Sequence, residues 1–136
     1  MISPQQLFAS ASAWQRSLFS ALSGLLFFGL WAFWVNYDFG WAAASKAALT
    51  QGGYSFTVTL SNTYLIEMLF RSISAPKLRF MGTVVMTSIL ICSLSWLINY
   101  LSGTPNIIMT ILPGCFISTF YAFIYTVGLA KASTVH

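Results

Sequence analysis

From residue 80 to residue 130 the chain runs for 51 residues without one charged side chain. A soluble fold cannot coat itself with such a stretch, whereas a hydrocarbon core about 30 Å thick needs about 20 apolar residues per helical crossing. The stretch therefore reads as two crossings joined by the turn-forming Ser102-Gly103-Thr104-Pro105-Asn106. Two shorter uncharged runs precede it, residues 17–37 with 21 residues and residues 47–66 with 20. The expected fold is an all-α membrane protein, a single domain over 1–136 with four transmembrane helices at about 17–37, 47–70, 80–101 and 106–130. Composition decides one further point: charged residues make up 6% of the chain, against about 25% in soluble domains.

The spans fall into two tandem helical hairpins that echo one another 63 residues apart, the distance from Arg16 to Arg79. At the same offset Asn36 and Tyr37 meet Asn99 and Tyr100, Gly40 meets Gly103, Ser55 meets Ser118, and Thr63 meets Thr126. Paired hairpins in a membrane bring similar units face to face, and function collects at such seams.

Net charge is +4, but the six Lys and Arg residues sit at span edges rather than in a patch suited to nucleic acid. Arg16, Arg71, Lys77, Arg79 and Lys131 fall on one side of the four-span layout; the other side has Lys46 beside Asp38. The positive-inside tendency then puts both termini in the cytoplasm. Trp41-Ala42-Ala43-Ala44-Ser45 has the form of a signal-peptidase site, but the apolar run before it exceeds the about 7–15 residues of a signal peptide.

Ser3-Pro4-Gln5-Gln6 has the pattern of a helix start, and Leu7, Ala11, Trp14 and Leu18 follow at helical spacing. Residues 1–15 thus read as a short amphipathic helix on the membrane surface. Trp34, Tyr37 and Trp41 suit an interfacial belt. Cys92 and Cys115 lie inside the third and fourth spans with no metal-type spacing, and read as packing residues.

The second span is the polar one. Gln51, Ser55, Thr59, Asn62 and Thr63 project from one helical face, which must point at protein, water or a ligand because lipid leaves such groups unsatisfied. Interhelical bonding and a ligand-facing role both remain open for this stripe. Gly52 and Gly53 in the same span allow either close backbone approach or a break. In the fourth span Gly114, Ser118, Tyr121, Tyr125 and Gly128 recur at spacings that make a small and polar packing seam.

Glu67 lies four residues before Arg71, so the two side chains meet on one helix face. A structural ion pair and a proton-coupling or headgroup role are both open to Glu67. Arg16, Arg71, Lys77 and Arg79 form a basic rim that sets orientation and can attract anionic headgroups. Two acids and a lone histidine, His136, give no nucleophile paired with a base, so no catalytic, metal or cofactor site is expected.

Arg79-Phe80 opening the third span, the Leu101-Ser102-Gly103-Thr104-Pro105 turn and Met68-Leu69-Phe70-Arg71 closing the second resemble the GtrA-like family of small four-span membrane proteins. The family's Asn-Arg-x-Trp-x-Phe ending of the second helix is replaced by Leu65-Ile66-Glu67-Met68-Leu69-Phe70. The resemblance implies a bacterial inner-membrane protein that moves or presents a polyprenyl-phosphate-linked sugar for cell-surface glycan synthesis. The alternatives are a non-catalytic subunit or assembly factor of a larger membrane complex, and a proton-coupled small-molecule exporter. Four spans are few for a closed path, so either transport reading implies a homo-oligomer or a membrane-protein partner.

Overall fold

The structure, a computed structural model, describes residues 13–134. Within them it is all-helical: α1 (Ala13–Val35), α2 (Trp41–Ser72), α3 (Pro76–Ser102) and α4 (Ile107–Thr134), with a 3-10 turn at Tyr37–Phe39. Most of the amphipathic helix expected at 1–15 lies outside the described residues, as does His136. Three helical stretches are long and apolar enough to cross a membrane, Trp14–Val35, Pro76–Ser102 and Ile107–Ser133. α2 is the longest helix, 32 residues or about 48 Å, but its polar side chains keep it out of that set.

Helix ends follow from local chemistry. α3 opens on Pro76, whose missing N–H would have had no partner in a first turn. It closes on Gly103, at φ 78°, whose N–H turns back to the Tyr100 carbonyl at 3.1 Å. Its repeat partner Gly40 also has positive φ, 102°, just before α2. Pro113 stands inside α4 without breaking it. A proline there leaves the carbonyl four residues earlier without its helical donor; that carbonyl, of Met109, accepts the Trp31 indole N–H of α1 at 2.8 Å.

α2 is the hub of the bundle and packs on all three other helices, while α4 also closes on α1. The tightest seam lies between α1 and α2. A Cβ added at Gly52 would sit 2.9 Å from the Leu25 carbonyl oxygen, and one at Gly29 would sit 3.3 Å from that of Ala48. Of the two roles open to Gly52, close approach is the one realised: α2 runs unbroken through it.

Burial is inverted relative to a water-soluble protein. Of the eight largest fully buried side chains only Ile66 is apolar; the others are Gln51, Asn36, Asn99, Thr83, Thr87, Thr110 and Thr126. Large apolar groups such as Leu30, Trp34, Leu49 and Phe116 face outward. That distribution leaves far more apolar surface than water tolerates and suits hydrocarbon surroundings.

Candidate functional site

Two asparagines organise one end of the bundle. Asn36, fully buried, donates from Nδ2 to the Ala32 carbonyl at 2.8 Å and to Thr110 Oγ1 of α4 at 2.8 Å. Its Oδ1 accepts the Asn106 backbone N–H at 2.9 Å. Asn99, also fully buried, donates to the Ser95 carbonyl at 2.9 Å and to Gln51 Oε1 of α2 at 2.7 Å, while its Oδ1 accepts from Thr104 Oγ1 at 2.8 Å. Each asparagine thus ties the first helix of its own hairpin to the second helix of the other. The repeat landmarks do the same job twice.

The polar stripe of α2 divides into two parts. Gln51 is held by Asn99 and by Ser95 Oγ at 3.3 Å, and its Nε2 lies against Gly114, 3.5 Å from where a Cβ would stand there. The Thr59 hydroxyl returns to the Ser55 carbonyl at 2.7 Å. Gln51, Ser55 and Thr59 surround a cavity of about 30 Å³, together with Tyr54, Ser95 and Ser118, which has room for a water molecule and little more. Ser55 and Ser118, matched in the repeat, meet there. Tyr54 crosses to α3 and donates its hydroxyl to the Ile91 carbonyl.

Lower on the stripe the arrangement changes. Thr63 is half-buried. Asn62 is only 7% exposed, yet its Oδ1 has no hydrogen-bond partner. It lines a groove of about 770 Å³ on the lateral face between α2 and α3, whose walls include Val58, Leu65, Leu94 and Ile98. Gly53, Thr57 and Ser61 form a ridge of small residues along that groove. The hydroxyls of Thr57 and Ser61 bond carbonyls of their own helix, at 3.0 and 2.8 Å, so the ridge presents little polarity.

Beyond the groove, at the basic end, a recess of about 270 Å³ is lined by Tyr64, Glu67, Met68, Arg71 and Ser72. Glu67 Oε1 accepts the Tyr125 hydroxyl of α4 at 2.6 Å, and Oε2 faces Arg71 Nη2 at 3.6 Å. The Arg71 side chain is 79% exposed, so the ion pair contributes little to stability. Tyr125→Phe removes the bond between α2 and α4 and is expected to lower unfolding free energy by about 1 kcal/mol. Thermal melting in detergent checks this, and an unchanged midpoint would show the contact to be idle.

The basic rim is not one cluster. Arg79 folds over the α2–α3 connection, with Nε donating to the Ile73 carbonyl at 2.8 Å and its guanidinium 5.3 Å from the Phe70 ring. Lys77 is exposed in the first turn of α3, and Arg16 is half-buried near the start of α1. Of the α4 seam, Gly114, Ser118 and Tyr125 meet α2-side partners, Tyr121 stacks on Tyr125 at 5.9 Å, and a Cβ at Gly128 would meet nothing. Residue patterning did not point to the groove, the orphaned Asn62 oxygen or the bond from Tyr125 to Glu67. The antiparallel depths of Gln51 and Asn99 were a usable signal for their pairing.

No protein-family model, curated protein or solved structure matches the chain. Fold and site together define an all-helical protein with three helices able to cross a membrane, a polar interior and a lateral groove that runs toward an exposed arginine.

Proposed function

We propose that the chain is a four-span protein of a bacterial inner membrane that binds and moves an amphiphilic lipid with an anionic headgroup. A polyprenyl-phosphate-linked sugar for cell-surface glycan synthesis is the representative suggested by the GtrA-like resemblance. In this reading α2 is the fourth span, its polar face covered by its neighbours, and the basic end faces the cytoplasm.

One observation carries the proposal: the apolar groove and the charged recess follow each other along one stripe of α2. Ser61 and Leu65 line the groove, and Met68 and Ser72, continuing at helical spacing, line the recess beside Arg71. An apolar channel open to the side and ending at an exposed guanidinium is complementary to a hydrocarbon tail ending in a phosphate.

Lipid that co-purifies in mild detergent, identified by mass spectrometry, tests this. The expected result is a phosphate-bearing amphiphile whose recovery falls about tenfold in Arg71→Gln, the loss of one charge-assisted contact. Recovery of only bulk lipids, in the same proportions from both proteins, would sink the proposal. A second reading, a subunit of a larger complex, draws on the exposed Gly53–Thr57–Ser61 ridge, whose four-residue spacing suits helix docking. Co-purification of one stoichiometric protein in place of lipid would favour it.

A further inference from the structure

We propose that Asn62 is a polar way station at mid-depth where the headgroup lodges as the lipid crosses. The proposal rests on the lipid-handling reading above and adds the route and the residue that makes it passable.

The chain contains its own controls for a buried asparagine. Asn36 Oδ1 accepts from Asn106 N and Asn99 Oδ1 from Thr104 Oγ1. Asn62 is buried to nearly the same degree, and its Oδ1 accepts nothing. An unsatisfied buried amide is destabilising, and an apolar side chain of similar size would pack there at less cost. An amide at such a position suits a partner that arrives and leaves.

Contacts along α2 and α3 give its depth. Thr50 meets Ser102, Gln51 meets Asn99, and Tyr54 reaches Ile91. Continuing this antiparallel register two turns beyond Tyr54 and Ile91 puts Asn62 level with Thr83 and Val84. The hydroxyl oxygens of Thr87 and Ser88, about one turn further along α3, are the other buried side-chain atoms without a partner among the described residues. Of these three residues Asn62 is the one that lines the groove. Along the helix Asn62 lies about 13–14 Å from Arg71 and about 18 Å from Thr50, near the middle of a hydrocarbon core.

The cavity at the centre of the bundle, about 30 Å³, takes a water and not a headgroup, whereas the lateral groove is about 770 Å³. A headgroup moving along the groove leaves water, and each hydrogen bond made at mid-depth lowers that penalty. An amide provides donors and an acceptor without charge, so it eases passage without trapping an anion.

The test uses the full chain in phosphatidylcholine vesicles with a trace of tail-labelled fluorescent phosphatidylglycerol, whose arrival in the outer leaflet is read by dithionite quenching. Wild type is expected to bind and move the probe. Asn62→Leu should slow transit by at least about tenfold, keep Arg71-dependent binding, and melt at or above the wild-type temperature. Asn62→Gln, which keeps the amide, should stay within about threefold of wild type. Equal transit in wild type and Asn62→Leu overturns the way station, as does binding by wild type without transit. A sharp drop in the melting temperature of Asn62→Leu also overturns it, because the residue is then structural. A wild type that neither binds nor moves the probe refutes the lipid reading itself.

Discussion

Asn99→Ala is expected to lower unfolding free energy by about 2–4 kcal/mol, among the largest losses available to a polar substitution in this chain. It removes the donor to Gln51 Oε1, the link to the Ser95 carbonyl and the acceptor for Thr104 Oγ1 at a fully buried position. Gln51 Oε1 keeps only the longer contact from Ser95 Oγ, and the Thr104 hydroxyl loses its acceptor. Asn99→Asp, with nearly the same shape but no amide donor, should fall at least as far, since a carboxylate would then face the Gln51 carbonyl. Reversible denaturation in mixed micelles measures both. A change within about 0.5 kcal/mol for Asn99→Ala would mean that the bundle is held by apolar packing and that the network is incidental.

Adjacent glycines in α2 should respond with opposite signs. Gly52→Ala brings a methyl to 2.9 Å from the Leu25 backbone oxygen, so α1 and α2 must move apart, at about 1–3 kcal/mol, and Gly52→Val should cost more. Gly53→Ala meets nothing within 4 Å and gains helix propensity, so it should be neutral or stabilising by up to about 1 kcal/mol. Melting temperatures of the two single variants, side by side, decide this. If both shift alike, the α1–α2 seam is looser than its backbone approach indicates.

Much of the architecture was legible in the chain. Uncharged runs bounded by basic residues give helices of membrane length, because a span is a local property of composition. The 63-residue echo pointed to Asn36 and Asn99, which have matching roles, and to Gly40 and Gly103, which share a positive φ although Gly103 closes α3 and Gly40 precedes α2. The echo did not reveal what those roles are. Asn36 and Asn99 look alike in sequence, and only their partners, Thr110 and Gln51, make them crossed latches. The stripe from Gln51 to Thr63 was legible as one polar face, but its division was not: Gln51 is satisfied by α3, whereas Asn62, on the same face eleven residues on, is left open.

By itself, the sequence determined that the chain is helical, that its helices are sized for a membrane, that one of them is polar, and that basic charge gathers at one end. These follow from periodicity and from the order of charged and apolar residues, which no tertiary contact can alter. The tertiary structure alone decided which polar groups are satisfied. Satisfaction depends on what stands across the gap: Thr104 and Gln51 beside Asn99, Tyr125 beside Glu67, and an open groove beside Asn62. A hydrogen bond needs two partners within about 3 Å, and in an antiparallel bundle those partners are set by register and splay, which a single helix does not encode.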